Sequence, residues 1–383
     1  MMRPLVTPLA VLACLGATLP GRAASPAVVS GFAVEEARAL RGQTAGPAAC
    51  PAPVEPVADM AGLQSRYDPK DPTQSRVSAE RERHEADRGG RLMAFATALA
   101  RLADQAVASR PANPDLARCA LHQIAVWARR DALFAGSERN DELGRHQAVM
   151  TRAWHLANVA AVILKVAPGP GGADGAASRA WMARLARSVM DEYGADNQWS
   201  RHGANHLYWA GVGVGLAGAV LNDPAMRDFA VAALRRGLDD IDANGALRKE
   251  MARGERALFY QHFAALALVV LVRYADANGI ALDAAQEAAF RRMLAFTAAG
   301  TRDPGKAQEI ARARQLPTRD RQSLAWIDPV LPWLRPRDPD LAADLDALAT
   351  EARARPAWHV WLGGNASAVL NPEGSPRPRS ERP

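Results

Sequence analysis

The sequence predicts an all-α protein, and three observations carry that expectation. Alanine dominates the apolar residues, which make up 49% of the 383-residue chain. Runs of β-branched residues are scarce, and apolar positions recur at three- and four-residue spacing rather than alternating. Glycine, proline and Asn-Gly pairs then punctuate the chain at intervals suited to helices joined by short links.

Taken in order, the chain opens with Met1, Met2 and Arg3, an apolar run from Leu5 to Leu19, and then Gly21, Arg22, Ala23 and Ala24, a site suited to cleavage. Residues 1–24 therefore read as an export signal to the periplasm or beyond. The run is short and broken by Pro8 and Pro20, so stable membrane insertion is not expected. Cys14 behind Val11, Leu12 and Ala13 allows a lipoprotein reading, which Leu15 and the better downstream site weaken. Residues 25–370 are expected to form one helical domain, beginning with a Pro-, Gly- and Ala-rich stretch to residue 75 with a candidate short helix from Val34 to Leu40. That stretch ends in the polar segment Ser65 to Arg76, which has the composition of a mobile surface loop.

Helices are expected near residues 78–109, 114–135, 143–166, 176–194, 204–221, 224–239, 255–278, 283–299, 321–334 and 338–353. Pro111 and Pro114, the Gly-rich run from Ala167 to Gly175, Asn222 to Pro224, and Asn-Gly pairs at 244–245 and 278–279 separate them. Ten helices of similar length with short links suggest helix pairs wound into a toroid. No repeat of fixed period accompanies them, so a plain bundle is the competing reading. Residues 371–383 are polar and Pro-rich, the composition of a disordered tail.

The formal charge is +6, and +4 once Arg3 and Arg22 leave with the signal. That excess favours an acidic partner. No basic tract interleaved with aromatics and no zinc-finger spacing occurs, so an acidic glycan outside the cytoplasm is a simpler partner than nucleic acid. Cys50 and Cys119 remain after export and could form one disulfide.

Two segments could carry chemistry. In Asn197 to Gly211, polar and aromatic residues crowd the entrance to a helix that then turns apolar. Asn205, His206 and Trp209 can share one helical face, with Tyr208 beside them, an arrangement suited to a sugar: an indole for stacking and polar groups for acids. His202 and His206 have metal-binding spacing, but Gly203 stands where a metalloprotease needs Glu, so no metal is expected. The second segment runs from Glu250 to Phe263; Arg253 and Tyr260 are seven apart and Arg256 and Tyr260 four apart, one stripe if the segment is helical throughout.

Together these residues suit β-elimination of a uronic acid chain. The C5 proton lies beside a carboxylate and is a poor acid until that charge is neutralised, for which Asn205 and Arg253 are suitable donors. His206 and Tyr260 can take the proton and protonate the departing O4, and either could be the base. A glycoside hydrolase would need a carboxylate pair, and these segments offer only Glu250 and Glu255. No cofactor is required.

From about Ser65 to about Leu370 the sequence resembles the poly-mannuronate alginate lyases, polysaccharide lyase family 5. "NHLYW" (Asn205 to Trp209) resembles that family's Asn-Asn-His-Ser-Tyr-Trp segment, and "ARGERALFYQHF" (Ala252 to Phe263) its Arg-x-x-Arg-Ala-Leu-x-Tyr-His-Asn-Tyr segment. Supporting matches are Arg118 to Leu133, Leu324 to Pro329 and Trp361 to Gly364. The resemblance implies an (α/α) toroid with a groove and a lid loop. It implies Asn205 and Arg253 on the substrate carboxylate, His206 as base or carboxylate neutraliser, and Tyr260 as acid and also a candidate base. It implies a substrate-binding role for Trp209 and for a basic residue of the lid, where Arg66 stands beside Tyr67 with Lys70 as a second choice. Ala204, Leu207, Gln261, His262 and Phe263 depart from the family pattern at positions expected to line the groove. The expected substrate is mannuronate-rich alginate. Mannuronate and glucuronate share their configuration at C4 and C5, so a glucuronate polymer is the alternative. A non-catalytic glycan-binding protein of an exopolysaccharide machine and an unrelated toroid hydrolase are the readings from other classes.

Overall fold

A computed structural model of the chain describes residues 27–32, 50–109, 112–166, 172–194 and 204–371. The expected export signal, the candidate helix from Val34 to Leu40, and His202 lie outside them. Ten helices correspond to those expected: α1 (Ala79–Ala108), α2 (Pro114–Arg129), α3 (Glu142–Val166), α4 (Gly172–Gly194), α5 (Ala204–Leu221), α6 (Pro224–Asp239), α8 (Ala257–Ala277), α9 (Ala284–Arg302), α11 (Ile327–Leu334) and α12 (Pro339–Glu351). Three short ones are additional: α7 (Arg248–Met251), α10 (Gly305–Ala311) and α13 (Ser367–Leu370).

Side chains fix many of the starts. Ser78, Asn113, Asp223 and Asp338 each accept a hydrogen bond from backbone N–H groups of the first turn, and Pro114, Pro224 and Pro339 occupy opening positions where no N–H is needed. Asp283 and Gln286 form a reciprocal capping box on α9. Two ends differ from expectation for local reasons. α2 stops at Arg129 rather than 135, because Asp131 and Leu133 adopt positive φ. α11 starts at Ile327 rather than 321, because Asp320 accepts from the backbone N–H groups of Gln322 and Ser323 and from the Ser323 hydroxyl, offering the backbone a turn instead.

The helices pack as five successive hairpins: α1 with α2, α3 with α4, α5 with α6, α8 with α9, and α11 with α12. The first members also pack on one another in the order α1, α3, α5, α8, α11, and the second members in the order α2, α4, α6, α9, α12. Two concentric rows of helices, one inside the other, are an (α/α) toroid. α5 sits centrally in the inner row, and its glycines make that possible: a methyl group on Gly213 would stand 2.6 Å from the Ala153 carbonyl oxygen of α3, and one on Gly211 would stand 2.7 Å from Ala233 of α6. α8 is apolar and long enough to cross a membrane, but 78% of its most apolar stretch is buried in the protein, the mark of a core helix.

A C-terminal hairpin, β1 (Trp358–His359) antiparallel to β2 (Gly364–Asn365), bridges the inner row, its turn packing on α1 and α3 and the following α13 on α11. Its anchor is Lys165, fully buried, whose ammonium bonds Asp104 at 2.9 Å and the Gly363 carbonyl; Asp104 also accepts from the Trp358 indole and the Asn365 N–H, each at 3.0 Å. Asn371, expected to begin the disordered tail, is instead buried and donates to Asp328. Cys50 and Cys119 form a disulfide that ties the N-terminal segment to α2.

Candidate active site

Each inner helix is followed by an outer helix that returns, so the inner helices run the same way and their N-terminal ends gather at one end of the toroid. His146 lies in the first turns of α3, Asn205 and His206 open α5, and Tyr260 stands in the first turn of α8. The dipoles of these helix ends favour an anion.

Asn205 is buried, with its backbone N–H donating to Glu250 Oε1 at 2.8 Å and its amide Nδ2 to Oε2 at 2.9 Å. Its Oδ1 is buried without a hydrogen-bond partner among the described residues. Glu250, on α7, is buried, and burial pushes its carboxyl up to about 7 despite the Asn205 donors and the nearby Arg253 charge. Glu250 thereby joins the start of α5 to the turn that bears Arg253.

His206 is half-buried, and its Nδ1 lies 3.2 Å from His146 Nε2. Burial first, then the neighbouring His146 and Arg253, push its imidazole down to about 3, so it is neutral near pH 7. Arg253 lies over the Tyr260 ring, Cζ 3.7 Å from the centroid, and 5.3 Å from that of Tyr67. The Tyr67 and Tyr260 hydroxyls share a short hydrogen bond. Burial raises the Tyr260 hydroxyl well above its usual range, Arg253 opposing, so Tyr260 keeps its proton near neutrality.

The single helical stripe expected for Arg253, Arg256 and Tyr260 does not exist. Gly254 takes φ +53° and a 3₁₀ turn follows before α8 begins at Ala257, so Arg253 reaches Tyr260 by folding back rather than by helical register. The loop of residues 66–78 covers this turn. It is pinned, where the sequence suggested mobility. The Tyr67–Val77 bridge closes it, Asp71 accepts from the Thr73, Ser75 and Arg76 backbones, and its carbonyls are bound by Arg253 (Nε to Thr73 at 3.0 Å, Nη2 to Gln74 at 2.8 Å) and Arg256 (Nε to Ser75 at 2.7 Å). Tyr67 is the loop side chain that reaches the site. Arg66 instead pairs with Glu82 at 3.3 Å on the exposed side, and Lys70 is exposed.

Several expectations are corrected by burial. Tyr208 and Trp209 are core residues: the Tyr208 hydroxyl donates to Asp240 at 2.8 Å, and Trp209 stacks between Phe263 and His359 with its indole N–H on the Phe263 carbonyl. Neither offers a face to a sugar, because α5 is enclosed by α3, α6 and α8 and only its first residues reach the end of the toroid. Leu207, Gln261 and His262 are buried too, so of the five departures only Ala204 and Phe263 retain exposed surface. Three functional candidates were missed. Glu250 reads in sequence as an unpaired carboxylate, and His146 and Glu192 lie on other helices with no spacing that links them to His206.

Comparison with known proteins agrees with this architecture. The family model described as alginate lyase matches residues 62–307. A polysaccharide lyase of Stenotrophomonas maltophilia is 31% identical over 84% of this chain and 91% of its own length. An alginate lyase of Pseudomonas syringae pv. tomato is 26% identical over 84% and 83%. Among solved structures, alginate lyase A1-III of Sphingomonas species A1 has a TM-score of 0.65 at 22% identity, covering 88% of this chain and 90% of that one. A tyrosine-to-phenylalanine variant of A1-III complexed with a tetrasaccharide has a TM-score of 0.68 with the same identity and coverage. The protein is thus a polysaccharide lyase on an (α/α) toroid, with a polyuronate as its substrate. More narrowly, the chain belongs to the alginate lyase family.

Proposed function

We propose that the protein is exported and cleaves mannuronate-rich alginate by β-elimination, leaving a 4,5-unsaturated uronide end. The observation that carries this reading is the convergence at one end of the toroid of Asn205, Arg253, Tyr260 and His206, with Glu250 joining the two segments. Arg253, whose Nη1 has no protein partner among the described residues, and the second amide hydrogen of Asn205 bind the substrate carboxylate and stabilise the charge that C5 deprotonation sends onto it. His206, neutral at working pH, accepts the C5 proton; Tyr260, still protonated, delivers its proton to O4 as the C4–O4 bond breaks. Each group is in the protonation state its task needs, because burial has moved the two in opposite directions along the pH axis. The Cys50–Cys119 disulfide and the signal-like residues 1–24 favour an oxidising compartment such as the periplasm.

Purified protein incubated separately with poly-mannuronate, poly-guluronate, polyglucuronate and hyaluronate, and followed by the ultraviolet absorbance of the unsaturated uronide, tests the reading. Fastest turnover is expected on poly-mannuronate. Silence on all four polymers overturns the lyase assignment, and faster cutting of polyglucuronate overturns the mannuronate preference.

A further inference from the structure

His206 opens a chain of polar contacts that runs away from the substrate side. Its Nδ1 lies 3.2 Å from His146 Nε2, and His146 Nδ1 lies 3.2 Å from Glu192 Oε1 on α4. The ring of His146 is 96% removed from solvent and is braced edge-on by Tyr193, 5.7 Å between centroids, so the link is held by packing from two helices. His206 is half-buried, and its Nε2 has no hydrogen-bond partner among the described residues. One imidazole nitrogen is occupied inside the molecule and the other is left to the groove.

The chemistry of the chain sets its direction. A carboxylate only accepts hydrogen bonds, so Glu192 calls for an N–H on His146 Nδ1. A neutral imidazole with its proton on Nδ1 has a bare lone pair on Nε2, and that lone pair requires a donor opposite it. His206, being neutral, can supply that donor from its Nδ1. A neutral His206 with its proton on Nδ1 then has a bare Nε2.

Resting on the reading of His206 as the base, we propose that Glu192 and His146 form a relay that holds His206 in the Nδ1–H tautomer, with its Nε2 lone pair presented to the substrate. When Nε2 takes the C5 proton, the new positive charge is shared with Nδ1–H, whose bond to His146 strengthens, and the Glu192 carboxylate lies behind it. No proton need leave His206 through the relay: the Nε2 proton passes to solvent at the end of the cycle, and the Tyr260 oxygen regains from solvent the proton it gave to O4. His146 and Glu192 are positioning residues, since neither touches substrate. The low affinity of His206 for a second proton, from burial and its cationic neighbour Arg253, keeps it ready to accept.

The test compares His146→Leu, which removes the acceptor, with His146→Gln, whose side-chain oxygen can stand near the lost Nε2 and accept from His206. Histidine tautomers are read by long-range proton–nitrogen correlation in ¹⁵N-labelled protein, with the His206 signals assigned by their loss in His206→Gln. The wild type is expected to show His206 as the Nδ1–H form. His146→Leu should admit the Nε2–H form and lower kcat by about 10–100-fold with KM within about twofold, the size of effect seen when a group orienting a functional histidine is removed. His146→Gln should restore the tautomer and most of kcat. Wild-type His206 protonated on Nε2, or an unchanged tautomer in His146→Leu, overturns the relay. A tautomer shift in His146→Leu with undiminished kcat upholds the relay and overturns His206 as the base, so the two readings fail separately.

Discussion

Glu250→Gln should make the protein more stable above pH 7 while making it a poorer enzyme. An ordinary glutamate releases its proton near 4.5, whereas buried Glu250 holds it up to about 7. A raised acid means that the folded state binds the proton more tightly than the unfolded chain. The stability contributed by this group is therefore fully present below pH 4.5 and is lost as pH rises through about 7. Each decade of pH across that window costs about 1.4 kcal/mol, so the wild type should lose about 3 kcal/mol that the variant keeps. Against this, glutamine has one acceptor oxygen where Asn205 offers two donors, at 2.8 and 2.9 Å. One of those bonds is lost, at about 1.5 kcal/mol, or roughly tenfold in kcat if Asn205 must be held in place for catalysis. Urea unfolding of both proteins at pH 5, 6, 7 and 8 gives the first quantity and steady-state release of unsaturated uronide gives the second. Parallel stability curves across that pH range would refute the buried, proton-retaining carboxylate, and full activity would refute the role of Glu250 in holding Asn205.

Other perturbations follow from the same geometry. Tyr260→Phe removes the proton donor while sparing the ring under Arg253, so turnover should fall by at least about 100-fold with substrate still bound, as checked by kcat and by equilibrium binding of a mannuronate oligomer. Asp71→Ala frees the loop whose carbonyls orient Arg253; KM should rise roughly tenfold, from the loss of about 1.5 kcal/mol of loop anchoring, and limited proteolysis should cut the loop faster. Hydrogen bonds to Thr73, Ser75 and Arg76 hold the Asp71 carboxyl far below the usual range, so this anchoring is present above about pH 4 and is lost only as pH falls through that lowered value. Lys165→Met leaves half-buried Asp104 beside the C-terminal hairpin without its cation and should cost about 3 kcal/mol in urea unfolding, toward the low end for a broken buried pair because Asp104 keeps some solvent and the Trp358 and Asn365 donors.

Helix boundaries were legible because they are local. Ser78, Asn113, Asp223, Asp283 and the opening prolines act within one turn of their own positions, and ten segments appear where punctuation placed them. The toroid was not legible from pattern, since no repeat of fixed period marks the five hairpins. It emerges from which apolar faces meet, as at Gly213 against α3. In the site, Asn205, His206, Arg253 and Tyr260 stood out because polar residues before apolar helices are conspicuous in sequence. Trp209 and Tyr208 stood out for the same reason and were misread, because helical spacing says which residues share a face and not whether that face is covered.

By itself, then, the sequence determined that this chain is a string of capped, alanine-rich helices, and through its ordered motif matches it pointed to uronate elimination. Tertiary structure alone decided three things: that Glu250 holds Asn205, that Arg253 reaches Tyr260 by way of a left-handed glycine rather than a helical stripe, and that His206 is backed by His146 and Glu192 from two other helices. The physical reason is range. Caps, turns and amphipathic spacing act over a few residues and are written in order along the chain. A buried carboxylate 45 positions from the amide it binds, or a histidine 60 positions from its neighbour, becomes a partner only when packing closes the toroid and removes the water that would otherwise have served each group.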